Sequence, residues 1–260
     1  MSSSFYDDRY ATREYMTGFD ELFEACRLLA IRQQLAELEL RPRTVLDHGC
    51  GTARYYETLH AAFPGAAITG CDVSAVAVEH ARERHPDGTF LVMDGERIPL
   101  GDGSVDLLLS VEVLEHVADV AHAVEEMGRV LRPGGIAVIS TPCANPGSLE
   151  WVMNRLRRDG LQPSADGYGR FATDEPGHLR RLQSRDLAIL LTRAGMTVDR
   201  LSFRAHFFTT VIGLRRAKLP LTLRVRIAML DWRLWRDRSN GATMLAVAVR
   251  TAAPPAGGSS

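Results

Sequence analysis

Thr44-Val-Leu-Asp-His-Gly-Cys-Gly-Thr-Ala53 decides the fold of this chain. A short apolar run ends in an acid and two glycines one residue apart. The run reads as a buried parallel strand, with a turn and a helix after it. Gly49 and Gly51 let the turn adopt backbone conformations that a Cβ forbids, so main chain can come close to a ligand. Open α/β sheets bind nucleotides at this carboxyl edge. Asp47 separates the turn from a phosphate cradle, because a carboxylate there repels pyrophosphate and attracts an ammonium or sulfonium group. A dinucleotide fingerprint needs glycine at position 54, where the chain has Arg54, and no Lys-Ser/Thr pair follows as in a P-loop.

Three further strand ends support the reading. Ala66-Ala-Ile-Thr-Gly-Cys-Asp72 ends in an acid about 20 residues beyond the glycines, where a carboxylate accepts from ribose hydroxyls. Thr89-Phe-Leu-Val-Met-Asp94-Gly95 ends in a second acid, placed to accept from an adenine amine, with Met93 or Val73 on the ring face. Ser104 to Val117 reads as a fourth strand passing straight into a helix. A fifth strand, Gly135 to Thr141, follows the turn Leu131-Arg-Pro-Gly-Gly135.

In order, VLDHGCGTA (45–53), GCDVS (70–74), MDGERIPLGDGSVDLLLSVEVLEHV (93–117) and LRPGGIAVISTP (131–142) resemble the motifs of class I S-adenosylmethionine-dependent methyltransferases. The closest likeness is to the branch of ubiquinone- and menaquinone-biosynthesis and natural-product methyltransferases. It is detailed over residues 40–145 and looser to about 205. Ala53 departs from it, standing where the family most often has a third glycine. The resemblance implies an α/β fold with a Rossmann-like seven-stranded, mostly parallel sheet. Its last strand is antiparallel and helices cover both faces. It also implies S-adenosyl-L-methionine as cofactor, S-adenosyl-L-homocysteine as product, and no metal. The cofactor contacts expected are Tyr10, Asp47, Gly49, Cys50, Gly51, Asp72, Val73, Met93, Asp94, Gly95, Val111 and His116.

At 260 residues and 45% hydrophobic, the chain can bury one good core, and it is too short for two full α/β domains. A net charge of −1 gives no whole-molecule field for nucleic acid. No Asn/Asp-Pro-Pro-Tyr/Phe motif or appended binding domain points that way either. Cys26, Cys50, Cys71 and Cys143 lack any CxxC or His-paired spacing, which argues against a disulfide framework or zinc and fits a reducing cytoplasm. The start Met-Ser-Ser-Ser-Phe-Tyr-Asp-Asp shows no signal-peptide pattern.

Residues 1–40 read as an N-terminal arm and helix, the helix spanning Phe19–Leu40 on its apolar period. Tyr6, Tyr10 and Tyr15 lie on an acidic, irregular arm before it. In relatives such a segment forms a lid over the cofactor. The methyltransferase domain spans 41–250, with acceptor-side insertions near 143–182 and 209–240, and 251–260 reads as a disordered tail. The first insertion is rich in glycine and proline, and long irregular insertions tend to carry function. A helix Ser184–Ala194, capped by Ser184, leads to a strand near Thr197–Phe203. Ala242–Val249 reads as its antiparallel neighbour. Residues 213–238 combine many arginines with Trp232 and Trp235. They suit an inserted helix packed on the domain, a peripheral contact with an anionic membrane, or a homodimer contact.

Methyl transfer from a sulfonium is an in-line displacement in which orientation counts most, and a base is needed only for a hydroxyl or protonated amine acceptor. Glu112 and His116, four apart, would share one helix face as a carboxylate-oriented base, whereas Glu115 would face solvent. His178, in Asp174-Glu-Pro-Gly-His-Leu-Arg180, is the other candidate base and a substrate contact. Trp151 and Tyr168 are candidate walls of an acceptor pocket. The function expected is methylation of an oxygen or nitrogen of a small-molecule acceptor in natural product biosynthesis, in the cytoplasm. A membrane-associated quinone or lipid enzyme and a non-catalytic cofactor-binding module are the alternatives.

Overall fold

Apolar strands that alternate with amphipathic helices can bury both sheet faces only by stacking helices on each. The computed structural model shows this arrangement and describes residues 3–12, 21–157, 160–175, 177–209, 211 and 219–251. Seven strands form one sheet: β1 (Thr44–His48), β2 (Ala67–Asp72), β3 (Thr89–Val92), β4 (Val105–Val111), β5 (Leu131–Pro142), and, beyond the two-residue strands β6 (Gln162–Pro163) and β7 (Gly169–Arg170), β8 (Met196–Arg204) and β9 (Thr243–Arg250). Their order is β3-β2-β1-β4-β5-β9-β8. The five on the β3 side pair in parallel, and β9 runs antiparallel to both β5 and β8. β6 and β7 form a separate ribbon inside the first insertion.

Each face has its own core. Leu46, Leu108, Ile139 and Ala246 point to the face covered by helices Val120–Val130 and Ser184–Arg193. Val45, Leu107, Leu109, Val138 and Leu245 point to the other, under helices Glu21–Ala36, Tyr56–Ala62 and Leu221–Trp235. The period-2 alternation of β1 sends Val45 and Leu46 to opposite faces.

Several local expectations are corrected. The N-terminal arm is a helix, Ser3–Ala11, rather than irregular, and the next helix is shorter than expected, Glu21–Ala36. Tyr15 lies outside the described residues. β4 does not pass into a helix: residues 112–119 make turns, and Glu112 takes a left-handed φ of 56°. Glu112 and His116 therefore share no helix face. Ser184 is the first residue of its helix rather than its cap. Gln183 caps it in a reciprocal box with Asp186, and the Ser184 hydroxyl accepts from Asn145 Nδ2 at 2.7 Å. Ala53 also adopts a left-handed φ of 59°, so alanine at the third glycine position carries about 1–2 kcal/mol of strain.

In the second insertion the described part is the helix Leu221–Trp235. Arg215, Arg216 and Lys218 lie outside the described residues, as does most of the tail. Buried Asp231 fixes this helix by accepting from three successive amides after β8, Phe207 (3.1 Å), Phe208 (2.9 Å) and Thr209 (2.8 Å). Trp232 is buried against the sheet, and Trp235 stacks on Phe208 with centroids 5.5 Å apart. The tryptophans are thus packing residues, while Leu221, Leu223, Arg226, Arg233 and Leu234 face outward. Among the described residues no helix is long and apolar enough to cross a membrane.

Helices Val120–Val130 and Ser184–Arg193 meet at Gly128, where a Cβ would collide with the Ala194 carbonyl. Backbone cannot yield as a flexible side chain would. Gly128→Ala is therefore expected to destabilise the fold by about 1–3 kcal/mol in urea unfolding. A midpoint equal to wild type would show that the helices separate freely.

Candidate functional site

The glycine turn after β1 is built by its neighbours on β2. Gly49 N and Cys50 N donate to the Cys71 carbonyl at 2.8 and 3.0 Å. Asp72, at the end of β2, takes Gly51 N on Oδ2 (2.8 Å) and Ser74 N on Oδ1 (2.9 Å). One carboxylate thus joins two successive strand-to-helix turns. Gly51 sits at φ 52°, and a Cβ on it would come 2.6 Å from Tyr10 Oη. The absence of a side chain lets the N-terminal helix close over the turn.

Two adjoining cavities open along this edge. The larger, about 520 Å³, is lined by Tyr6, Asp7, Tyr10, His48, Gly49, Asp72, Val73, Met93, Asp94, Gly95, Glu112, Val113 and His116, among others. The smaller, about 230 Å³, is lined by Tyr10, Arg27, Gly49, Cys50, Gly51, Arg54, Tyr55, Val111, Glu112, His116, Glu175 and His178, with Thr52. Tyr10, Gly49, Glu112 and His116 border both.

The N-terminal helix straps the larger cavity at both ends. Asp7 accepts from Ser74 Oγ (2.6 Å) and Val76 N (3.3 Å) at the start of helix Ala75–Arg84. Arg9 pairs with Glu175 on the acceptor-side loop. Tyr6 stands edge-on to His116 with ring centroids 6.0 Å apart.

Of the residues expected from sequence, Tyr10, Gly49, Cys50, Gly51, Asp72, Val73, Met93, Asp94, Gly95, Val111, Glu112, His116 and His178 all border one or both cavities. Asp47 does not. It is buried beneath the turn, and among the described residues its Oδ2 has no hydrogen-bond partner. Trp151 and Tyr168 line neither cavity: Trp151 is on helix Leu149–Leu156 beneath Arg155, and Tyr168 packs by the β6–β7 ribbon. Glu115 is fully buried rather than facing solvent. Sequence reading passed over His48, Arg27, Tyr55 and Glu175. His48 had a visible signal, a polar side chain at the end of an apolar strand. Arg27 had none, since an arginine on an amphipathic helix reads as solvated.

Burial sorts the ionisable groups. Asp47 is pushed up to about 8 by burial and then by Asp72, and His48, held at 3.1 Å from Ser110 Oγ, is pushed down to about 4 by burial. Burial and then the Glu112 charge drive Glu115 far above the carboxylate range; its Oε2 accepts from Thr141 Oγ1 at 3.0 Å. His116 falls to about 4 through burial and His178, and burial also lowers His178. Both imidazoles are neutral at pH 7. His116 Nδ1 lies 2.9 Å from the Gly177 carbonyl, which assigns the proton to Nδ1 and leaves Nε2 as an acceptor.

Glu115, His116 and His178 each bring one ligand-type atom within 4.8 Å of the others. These residue types suit a divalent metal. The spread is wider than the roughly 3.3 Å between ligands of a tetrahedral zinc, so as placed they form no coordination sphere.

The comparisons with known proteins follow this geometry. The family description "Methyltransferase domain" matches residues 46–139, which run from β1 to β5. A protein of Mycolicibacterium smegmatis described as a probable S-adenosylmethionine-dependent methyltransferase is 34% identical over 157 residues, covering 60% of this chain and 53% of that protein. A malonyl-[acyl-carrier protein] O-methyltransferase of Pectobacterium atrosepticum is 34% identical over 156 residues, covering 60% and 55%. Among solved structures, an S-adenosylmethionine-dependent methyltransferase from Mesorhizobium loti superposes with a TM-score of 0.57 at 22% identity, over 88% of this chain and all of that one. Residues 46–139 thus carry a methyltransferase domain, and the chain is similar in sequence and fold to S-adenosylmethionine-dependent methyltransferases. Its matches span about half the length of the curated relatives.

The residues at this edge suit a nucleotide with a sulfonium group. Gly51 leaves room over the turn, Asp72 borders the larger cavity at the end of β2, and Asp94 stands on its rim. The orphaned Asp47 oxygen beneath them suits a cationic neighbour. Two expectations follow. Asp72→Ala removes a cavity-facing carboxylate and frees the Gly51 and Ser74 amides, and should weaken S-adenosylhomocysteine binding at least about tenfold by calorimetry. Unchanged affinity would remove Asp72 from the site. The Asp47 carboxyl ionises near 3.8 when unfolded and near 8 in the fold, so between these values the fold holds the extra proton. Stability of the ligand-free protein should therefore fall as pH rises from about 4 to about 8, and Asp47→Asn should flatten that fall in melting temperature. Identical slopes in the two proteins would count against a neutral Asp47.

Proposed function

We propose that this methyltransferase moves a methyl group from S-adenosylmethionine to an oxygen or nitrogen of a small-molecule acceptor, in specialised-metabolite biosynthesis. The observation that supports it most is the pair of cavities meeting at Tyr10, Gly49, Glu112 and His116. One has the Asp72 and Asp94 edge suited to a nucleoside, and the other has the imidazole of His178 in its wall. The donor supplies an activated methyl on a cationic sulfur; the chain supplies alignment and a water-poor enclosure.

In the smaller cavity His178 is the residue to receive a proton. Its ring is neutral, as a base must be, and its Nδ1 is buried with no hydrogen-bond partner among the described residues. His116 stands beside it with ring centroids 4.8 Å apart, and the His178 amide donates to Glu175 at 2.9 Å. His178 is thus held on a short loop whose far side is pinned by Arg180 and Arg181. Arg180 Nη1 donates to the Leu114 carbonyl at 2.9 Å, and Arg181 grips Glu150 with two nitrogens at 2.9 and 3.0 Å.

The acceptor's own chemistry is part of the proposal. The malonyl-[acyl-carrier protein] O-methyltransferase relatives are named for an oxygen acceptor, which supports oxygen over carbon. A tritiated-methyl transfer assay on fractionated metabolite extract tests the reading. The full chain should label a small organic molecule, and labelling of none would overturn the proposal in favour of a cofactor-binding module. On the acceptor so found, His178→Asn should lower kcat on the order of 10²-fold while S-adenosylhomocysteine affinity stays at the wild-type value. An unchanged kcat would show that His178 takes no proton.

A further inference from the structure

Glu112 is an unusual residue at the point where the two cavities join. It is a bulky, charged side chain in a left-handed conformation that glycine ordinarily fills, and its carboxylate is mostly withdrawn from solvent. Two guanidinium groups flank it, one partly buried on a helix and one buried at the end of a strand. Arg27, on helix Glu21–Ala36, lies 3.5 Å from Oε2. Arg204, the last residue of β8, lies 3.8 Å from Oε1. Ser140 Oγ on β5 completes the cage by donating to Oε1 at 3.0 Å. The glutamate amide is also tied down, donating to the Ser140 carbonyl at 2.8 Å.

Arg204 is the costly member. Its side chain is 5% exposed, and among the described residues its Nε and Nη1 have no hydrogen-bond partner. A buried guanidinium with two unpaired nitrogens is destabilising by several kcal/mol unless something compensates. It lines neither cavity, so it does not touch a ligand directly. The charged groups it faces are Arg27, which repels it, and Glu112, the one that can compensate its charge.

Resting on the donor site proposed above, we infer that Arg204, together with Arg27, is a positioning residue for methyl transfer. The pair fixes the Glu112 carboxylate as a permanent negative charge at the opening between the cavities. There it favours a nucleotide with a cationic centre over one that is neutral at the same place. The methyl donor is cationic at sulfur and the demethylated product is not, so a fixed anion at the junction discriminates between them. Coulomb attraction in a site of reduced dielectric is large enough to produce such a preference.

The groups around Glu112 agree on the sign. Burial alone would raise its protonation midpoint. Arg27, Arg204, Ser140 and His178 outweigh burial and hold it below the ordinary glutamate range. Tyr55 stands against the same cluster, and Glu24 pairs with Arg27 at 2.8 Å. On the same turn as Glu112, burial and the Glu112 charge drive Glu115 far above the carboxylate range, and burial holds His116 down to about 4. With Arg204 gone, one of the two cations that oppose burial is lost, and Glu112 is protonated more readily as pH falls.

Calorimetry on the full chain tests this with two probes. Sinefungin carries a charged amine where the donor has its sulfonium, and S-adenosylhomocysteine carries a neutral sulfur. The ratio of their affinities is read at about pH 8 and about pH 6. Wild type should hold this ratio within about twofold between the two. Arg204→Met should keep it at the higher pH and lose at least about fivefold at the lower, Arg204→Lys should restore it, and Glu112→Gln should lack the preference at both. A purely structural role for Arg204 would move both affinities together and leave the ratio alone, which overturns the inference, as does a Glu112→Gln ratio equal to wild type. Should Arg204→Met fail to fold by circular dichroism, Arg27→Met makes the same measurement from the other side of the cage. Loss of both nucleotides by wild type would instead overturn the donor-site reading, a result distinct from a bound pair whose ratio ignores the arginines.

Discussion

Everything at the cofactor edge depends on one carboxylate holding two backbone amides. Asp72 accepts from Gly51 at 2.8 Å and from Ser74 at 2.9 Å, so the turn after β1 and the turn after β2 are fixed to each other. Hydrogen bonds to a charged acceptor are among the stronger ones available to a chain. The consequence spreads outward. Ser74, held by Asp72, caps the helix Ala75–Arg84 and receives Asp7 from the N-terminal helix. That helix brings Tyr6 and Tyr10 over the cavity. Ligand site and lid therefore share one anchor, at the position where parallel strands deliver their carboxyl ends.

The charges along the rim are not equivalent, although the sequence shows them as a series of acids. Asp47 and Glu115 are buried without a cation against them, and desolvation keeps each protonated well above the ordinary range. Glu112 is also buried, but the two guanidinium groups beside it reverse the outcome. Burial sets the cost of ionisation, and the nearest opposite charge decides whether that cost is met. Beside neutral His116 and His178, Glu112 is the carboxylate that Arg27 and Arg204 hold ionised and in place. A single localised anion is more useful for orienting a cation than several mobile ones, because its field does not reorganise when the ligand arrives.

Much of the architecture was legible in the residues. Gly49, Gly51, Asp72 and Asp94 marked strand ends because glycine and acid placement is a local matter. The β9 pattern was legible because alternation survives without tertiary context. What failed was also local in appearance and tertiary in cause. Val113 to Val117 looks helical on propensity, yet Glu112 turns left-handed and its amide is captured by the Ser140 carbonyl, which breaks the helix at its first residue. Composition left Trp232 and Trp235 open among a helix packed on the domain, a membrane contact and a dimer contact, whereas three amides on Asp231 pin their helix with Trp232 buried and Trp235 stacked on Phe208. Arg27 and Arg204 are 177 positions apart in the sequence numbering and meet only because β8 returns beside the first long helix. No periodicity carries that information.

The loop carrying His178 ties the two halves of the site into one unit. Its amide at Leu179 donates to the Glu115 carbonyl at 2.8 Å, and its Arg180 reaches the carbonyls of Leu114 and Ala118 at 2.9 and 3.1 Å. The 112–119 turn, which borders the nucleotide cavity, is thus hydrogen-bonded along its length to the segment that presents the acceptor-side imidazole. Arg9 adds the lid to the same assembly through Glu175. Movement of any one of lid, turn or loop must break charged or buried hydrogen bonds to the other two, each worth on the order of 1–3 kcal/mol. Loops tied in this way shift between discrete packings rather than drifting independently. Lid, turn and loop are thus joined by one ion pair and a run of buried hydrogen bonds into a single assembly beside the two cavities.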